Sequence, residues 1–306
     1  MKQATVARRR AKRSTPLGSV LIESLQQRWE KYLKELARVK KSPTEEAIHD
    51  FRVATRRLIS TLMIVELLIP EKRVEDLRRR LKKLFDACSP LRDTQVQLLT
   101  LESQVAQHPE LEMLITILKV REHDLIATIA KKIKKATTAK WGGTMRWIMQ
   151  AVREQFSHPL MHEAATAVVL GAAARTFATA VYFMHGVVAT EPRTIHQARI
   201  AFKKFRYTME ALVPLLPHLD KDRLRAMDAY QTRMGVIQDA EVLGEVVQRY
   251  AAKRPVASRR KLAGFQTQLG RQKRQLITDY IKARHEIFSF WQPPSADLRR
   301  SQDGRD

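Results

Sequence analysis

The chain has 306 residues, which is enough for one large domain or two modest ones with separate cores. Hydrophobic residues make up 44%, so we expect a packed interior, and the 10 glycines and 12 prolines are too few for a many-stranded fold. The 56 Lys and Arg residues outnumber the 32 Asp and Glu residues, which gives a net charge of +24. A solubilising surface needs much less charge, so we expect an anionic partner: nucleic acid, an acidic membrane or a phosphate polymer.

The cysteine content and the apolar segments bear on the compartment. A single cysteine, Cys88, excludes an internal disulfide and a cysteine-rich metal site, and it fits a reducing compartment. The longest apolar stretch, residues 164–188, contains Arg175 and is predicted to be a buried helix rather than a membrane span. With no apolar signal-peptide core at the N-terminus, we expect a cytoplasmic protein that binds no membrane. Residues 1–16, which are basic, and residues 292–306 are predicted to be disordered tails.

Helix-forming residues dominate the rest of the chain, and prolines, glycines and polar turns divide it into segments. The predicted helices cover, in chain order, residues 17–40, 44–70, 73–106, 110–138, 160–189, 193–216, 221–252 and 257–290. A bridging helix is predicted to follow Gly142-Gly143 and to close at His158-Pro159. The two-residue alternation of a strand appears nowhere at length, so the sequence predicts an all-α fold.

The layout of the first four helices recurs in the last four, and short sequence segments recur with it. Residues 48–58 (IHDFRVATRRL) align with residues 195–205 (IHQARIAFKKF), and residues 91–94 (LRDT) align with residues 237–240 (IQDA). We therefore predict two four-helix units related by internal duplication. Their boundaries are residues 17–140 for repeat 1, 141–159 for the bridging helix and 160–291 for repeat 2.

One helix in each repeat carries a stripe of cations beside its core-facing stripe. The spacing of three and four residues places these cations on one side of the helix, and we call the two stripes the cation ladders. The first ladder is His49, Arg52, Arg56 and Ser60, with Arg57 beside it. The second ladder is His196, Arg199, Lys203 and Arg206, with Lys204 beside it.

The cation ladders suit a linear polyanion. Cations one helical turn apart, roughly 5–6 Å, can meet alternate phosphate groups along a polymer. Arginine offers a planar fork to phosphate oxygens, lysine offers a point charge, and a histidine among phosphates is driven towards its protonated form. Two facing ladders would form a basic central cavity. Two other interpretations stay open: the histidines could be satisfied core or capping residues, and the cations could coat a wet surface.

The predicted third helices add charged residues. The cations that we assign to binding there are Arg78, Arg79, Lys82 and Lys83. A solvated surface is an equally good interpretation of this run. Asp93 and Asp239 occupy matched positions in the two repeats, and we expect each to pair with a ladder arginine and fix its rotamer.

The ladder pattern of histidine, two residues, arginine, three residues and a basic pair, present twice, resembles the CHAD domain, the conserved histidine alpha-helical domain. Residues 91–93 (LRD) resemble the family's Leu-Arg-Asp motif, and residues 203–207 (KKFRY) resemble its Lys-Arg-Leu-Arg-Tyr run. The resemblance implies two four-helix bundles around a pseudo-twofold axis and a basic central cavity that binds inorganic polyphosphate. It implies binding by His49, Arg52, Arg56 and Arg57 in repeat 1, and by His196, Arg199, Lys203, Lys204 and Arg206 in repeat 2.

The two copies are not identical, and we expect a stand-alone binding domain without the family's frequent catalytic partner domain. Gln238 stands where repeat 1 has Arg92, and Ile59 stands where the family often has a basic residue, so the halves need not contribute equally. Family members are often fused to a triphosphate-tunnel (CYTH) domain. Its Glu-x-Glu-x-Lys signature is not met, because Leu114 takes the lysine position after Glu110 and Glu112.

We therefore predict a non-catalytic protein that binds inorganic polyphosphate, with polyphosphate granules as a candidate location. A nucleic-acid-binding protein is the alternative, which is less favoured because the ladders lack interleaved aromatic residues to stack bases. An enzyme is not expected, because the sequence has no glycine-rich phosphate loop and no clustered carboxylates for metal-assisted hydrolysis. No cofactor or metal is expected, and the sequence leaves the oligomeric state open.

Overall fold

The computed structural model describes residues 17–135, 138–157, 160–213 and 221–291. Within these ranges the chain forms ten α-helices and no β-strand, so the predicted all-α class is confirmed. The helices are α1 (Leu17–Lys41), α2 (Glu45–Leu68), α3 (Lys72–Ala87), α4 (Ser89–Glu102), α5 (Glu112–Lys134), α6 (Thr138–Gln155), α7 (Leu160–His185), α8 (Pro192–Leu212), α9 (Lys221–Ala252) and α10 (Val256–Ala283). Short 3-10 helices cover Pro109–Leu111 and Arg284–Ser289. The two predicted tails lie outside the described residues.

Local sequence signals explain where the two ladder helices begin. The hydroxyl of Thr44 caps α2 by accepting a hydrogen bond from the backbone N–H of Ala47 at 3.2 Å. Glu45 and Glu46 lie in the first turn of α2, where acidic side chains favour the helix dipole. Pro192 begins α8, a position that tolerates proline because its missing N–H would have no partner inside the helix.

The predicted third helix, residues 73–106, is wrong as a single helix. The structure divides it at Cys88 into α3 and α4, because Pro90 lacks an N–H and fits only the first turn of a helix. Its counterpart α9 runs unbroken for 32 residues. Cys88 is fully buried, and burial raises the pKa of its thiol to about 11 against the opposing effect of Arg52. The thiol is therefore protonated at neutral pH.

Other predicted boundaries also need correction. The bridging helix α6 begins at Thr138 and contains Gly142 and Gly143, which were predicted to precede it. Each glycine costs a helix about 1 kcal/mol, and the buried neighbours Trp141 and Met145 offset that cost by packing into the core. The predicted end of this helix at residues 158–159 and the end of the predicted helix 193–216 lie outside the described residues.

The helices pack as two sets that meet between the ladder helices. In the first set α1 packs on α2 and α2 on α3, and in the second set α7 packs on α8 and α8 on α9. The hairpins α4–α5 and α9–α10 extend from these sets, and α4 also packs on α9. Helix α2 packs directly against α8. The fold therefore brings the two cation ladders to one interface.

The described apolar side chains form two clusters, and both clusters contain residues from both halves. The larger cluster includes Phe51 of α2 and Phe202 and Phe205 of α8. The smaller one joins α4, α5, α9 and α10 around buried side chains such as Leu118 and Phe265. The cores thus cross the predicted repeat boundary, and the ladder interface lies against an interior that both halves share.

Helix α7 is the one described helix that is long and apolar enough to cross a membrane, with a mean hydropathy of 1.5 over its most apolar window. Its Val169, Ala173 and Ala180 pack into the larger core, whereas Tyr182 is exposed. The prediction of a buried helix therefore holds for one face of α7 only.

Candidate functional site

Five cations of the two ladders lie near one another at the interface of α2 and α8, and three of them contact one aromatic ring. We call these five cations and the tyrosine the central cluster. Its members are Arg52, Arg56, Arg199, Lys203, Arg206 and Tyr207. Burial lowers the pKa of Lys203, and repulsion from Arg199, Arg56, Arg52 and Arg206 lowers it further.

Tyr207 contacts three of the cations. The ring centroid lies 5.1 Å from the guanidinium carbon of Arg56, 5.8 Å from Nζ of Lys203 and 4.9 Å from the guanidinium carbon of Arg206. A ring face attracts a cation through its quadrupole and adds no negative charge. Tyr207 therefore contacts cations from both halves without neutralising them.

Two arginines of the central cluster are anchored by hydrogen bonds. Arg52 donates to the backbone oxygen of Phe85 at 3.1 Å and lies over the Phe85 ring, 4.6 Å from its centroid. Arg206 is only 8% exposed, and it donates to Oε1 of Gln231 at 2.9 Å and pairs with Oδ1 of Asp228 at 2.9 Å. Arg52 keeps its charge unpaired, whereas the charge of Arg206 is largely balanced.

Three buried ladder nitrogens have no hydrogen-bond partner among the described residues: Nε of Arg56, Nε of Arg199 and Nδ1 of His196. A buried donor without a partner costs roughly 1–3 kcal/mol, so native proteins rarely keep one without a reason. All three belong to the ladders, and they lie on both α2 and α8. The arrangement therefore offers hydrogen-bonding capacity that an anionic ligand would use.

The pKa of Lys203 indicates how the central cluster affects a positive charge. Burial, followed by the charges of Arg199 and Arg56, lowers the pKa of its ammonium group from 10.5 to about 8. A positive group whose pKa falls this far is in an environment that disfavours positive charge. A bound anion would reverse that effect, so the cluster is poised for negative charge.

Asp93 and Asp239 do not pair directly with the ladders as predicted. No oxygen of either residue lies within 4.0 Å of a cationic nitrogen in the part of the chain that the structure describes. Desolvation raises the pKa of Asp239, and Arg199 and Arg92 oppose that effect. The short aspartate side chains therefore act on the arginines at longer range and do not lock their rotamers.

Several predicted binding residues lie outside the central cluster, and four of them pair with carboxylates. Arg57 pairs with Glu210 at 3.2 Å, and Arg78 pairs with Glu66. Arg79 pairs with Asp76 at 2.8 Å, and Lys82 pairs with Asp86.

Three more predicted binding residues, His49, Lys83 and Lys204, are exposed. Lys204 borders a separate pocket between α2 and α7. The structure therefore brings five of the thirteen predicted binding residues together in the central cluster and leaves the solvated-surface interpretation in place for the α3 cations.

Sequence reasoning missed the role of Tyr207. The residue lies in the KKFRY run, and it aligns with Ser60, which the helical wheel already placed on the first ladder. That alignment was the available signal. For a metal, the described residues offer no group of three or more His, Cys, Asp or Glu side chains that could hold an ion.

Comparison with known proteins identifies the class that this helical fold and its paired ladders define. The family model of the CHAD domain matches residues 23–248. The chain belongs to the CHAD domain family, as the ladder motifs predict, and this family is associated with polyphosphate binding or with triphosphate-tunnel-like proteins.

Two solved structures are similar to the fold. One is the CHAD domain from the plant Ricinus communis, with a TM-score of 0.64, 18% identity and coverage of 92% of this chain and 94% of that one. The other is PptA from Streptomyces chartreusis, with a TM-score of 0.60, 17% identity and coverage of 90% and 100%. At this level of identity the likeness shows the fold alone. A search of curated proteins finds no match.

Proposed function

We propose that this protein binds inorganic polyphosphate in the central cluster, without catalysis. The observation that carries the proposal is the position of Lys203, a half-buried lysine among four arginines, with unpartnered buried nitrogens on both ladders. Such a concentration of charge is costly in the free protein. A ligand with many closely spaced negative charges would relieve it.

A linear phosphate polymer fits this arrangement better than a single small anion. Arg52 and Arg56 follow one ladder on α2, and Arg199 and Lys203 follow the other on α8, so the cations extend along two helices. One phosphate group can meet only two or three of them. Arginine forks and a lysine point charge together suit successive phosphate oxygens.

We also propose that the two halves arose by duplication and line the cavity together. The packing of α2 on α8 supports this, as does the contact between matched parts of the ladders, in which Arg56 of one half lies over Tyr207 of the other. Repeat 2 contributes the lysine and the tyrosine, so the halves would not contribute equally.

Nucleic acid is the weaker candidate ligand. Base stacking needs a free aromatic face, and the Tyr207 ring is already contacted by three cations. Metal-assisted hydrolysis would need clustered carboxylates, and the described residues offer no group of three or more His, Cys, Asp or Glu side chains that could hold a metal ion. We propose a cytoplasmic protein, with polyphosphate granules as the place to look for it.

Titration with long-chain polyphosphate at physiological salt tests the proposal. The variant R56A/K203A removes one cation from each ladder, and R260A/K261A removes the same charge from the exposed start of α10 as a matched control. Two charge-assisted contacts are worth about 3 kcal/mol together, so we expect roughly 100-fold weaker binding in the first variant and little change in the control. Equal losses in both variants would contradict a specific site, and displacement by duplex DNA at equal phosphate concentration would favour nucleic acid.

A further inference from the structure

Where α2 packs on α8, the carboxylate of Glu210 occupies a corner between two arginines. Oε1 of Glu210 lies 3.2 Å from Nε of Arg57. Arg28 of α1 donates to the backbone oxygen of Arg57 at 3.1 Å, to the backbone oxygen of Glu210 at 3.4 Å and to the hydroxyl of Thr61. Desolvation lowers the pKa of Arg28, and the Glu210 charge opposes that effect. A carboxylate is thus the natural occupant of this corner, which we call the Glu210 corner.

The alignment of the two halves predicts a second corner of the same construction, with one difference. Continuing the register in which Ile48 aligns with Ile195 places Arg175 at the position of Arg28, Lys204 at that of Arg57, Thr208 at that of Thr61, and Met63 at that of Glu210. Both cations and the threonine are retained. The carboxylate is replaced by a neutral methionine, so the second corner has the cations of the first without their anion.

The structure brings these four aligned residues together. Met63, Arg175, Lys204 and Thr208 line one pocket of about 530 Å³ between α2, α3, α7 and α8. Both cations are exposed, and neither has an ion-pair partner within 4.0 Å among the described residues. The pocket is therefore open at the position that corresponds to the Glu210 carboxylate.

One carboxylate does border this pocket, but it is already occupied. Glu66 accepts two hydrogen bonds from Arg78, which lines the same wall, so that pair adds no net charge. Thr208 donates its hydroxyl proton to the backbone oxygen of Lys204. Recognition in the pocket therefore rests on the charges of Arg175 and Lys204.

We infer that this pocket is a second anion site that takes a phosphoryl group in the place that Glu210 fills in the other half. Its volume exceeds that of one phosphate and admits a diphosphate, while a long polymer would need to continue beyond it. Lys204 lies about 100° around α8 from Lys203, so the two neighbouring lysines serve different sites. The pocket shares no lining residue with the central cluster, and the inference does not require that the cluster binds polyphosphate.

The phosphoryl group could belong to a free small phosphate or to a segment of polyphosphate, and binding experiments separate these sources. Pyrophosphate titration by calorimetry, in the R56A/K203A background, isolates the pocket from the central cluster. M63E supplies the missing carboxylate and should weaken pyrophosphate binding about tenfold or more, whereas the neutral control M63Q should not. R175A/K204A, which changes two exposed residues, should cause the same loss if M63E does not fold.

The variant E210M makes the opposite change in the other half, because it removes a carboxylate where M63E adds one. E210M should vacate the Glu210 corner and add a pyrophosphate site that the parent protein lacks. If M63E also weakens long-chain polyphosphate, the pocket holds part of the polymer, and if it weakens pyrophosphate alone, the ligand is a free small phosphate. Pyrophosphate binding that is absent, or unchanged in both M63E and R175A/K204A, would overturn the inference. A failure of the central cluster would appear instead as unchanged polyphosphate affinity in R56A/K203A.

Discussion

Lys203 should make the polyphosphate affinity of the central cluster depend on pH. In the free protein its pKa is about 8, because burial and the neighbouring arginines disfavour the ammonium form, against an ordinary value of 10.5. A bound polyanion places negative charge beside this group and raises its pKa again. The protein therefore binds tightly where Lys203 is protonated and more weakly as pH rises through 8.

The size of the effect follows from the two pKa values. Suppose that bound polyphosphate raises the pKa of Lys203 by half of the amount by which it is lowered in the free protein. Protonated Lys203 then adds about 1.7 kcal/mol to the free energy of binding, since one pKa unit corresponds to about 1.4 kcal/mol. Linkage then gives a fall in affinity of about tenfold between about pH 7 and pH 9.5. Near pH 8.5 binding should also take up protons, because part of the free protein is deprotonated there.

Calorimetric titrations with long-chain polyphosphate in two buffers of different ionisation enthalpy measure both quantities. The variant K203R keeps its charge throughout this range and should lose the pH dependence and the proton uptake. K261R, at the exposed start of α10, is the matched control and should behave like the parent protein. If affinity falls with pH equally in the parent protein and in K203R, or if no proton is taken up at pH 8.5, Lys203 is not the group that titrates on binding.

Three further predictions concern the same region. K203M should raise the free energy of unfolding at pH 7 by about 1–2 kcal/mol, because a group whose folded-state pKa is lowered destabilises the fold while it is protonated. Chemical denaturation should show a smaller stability gain at pH 10 than at pH 7. Y207L should weaken polyphosphate binding about tenfold, since roughly 0.5–2 kcal/mol of cation–ring attraction per cation is lost, whereas Y207F should bind normally. R79A/K82A should change the affinity by less than about twofold, because both cations are exposed and paired with carboxylates of their own helix.

Each of these three predictions has a distinct contradicting result. A stability gain for K203M that is the same at pH 10 would show that packing, and not charge, explains it. Equal losses in Y207L and Y207F would assign the role of Tyr207 to its hydroxyl. A loss in R79A/K82A as large as that in R56A/K203A would restore the α3 cations to the site.

The sequence was sufficient for the ladder helices because their signals are local. Periodicity defined α2 and α8, and the recurrence of a histidine, an arginine and a basic pair identified the family. The break at Cys88 was also encoded locally, in Pro90, but the strong helical pattern on both sides led to one continuous helix. At Gly142 and Gly143 the sequence predicted a break, but the helix continues through both glycines. Burial of Trp141 outweighs the cost of glycine in a helix.

The sequence alone does not indicate which cations pair with carboxylates and which stay unpaired. Arg56 and Arg57 are neighbours with the same chemistry, yet one lies over Tyr207 and the other pairs with Glu210. Both partners come from the other half of the chain, so tertiary packing decides which arginine keeps its charge free. The same holds for Lys203 and Lys204, of which only the first is buried among other cations.

A crystal structure of the protein with bound polyphosphate would show whether both ladders hold one polyphosphate chain across the central cluster. We expect continuous phosphate density that contacts Arg52 and Arg56 from α2 and Arg199 and Lys203 from α8. Density confined to one ladder, or located on the exposed surface of α3, would contradict it.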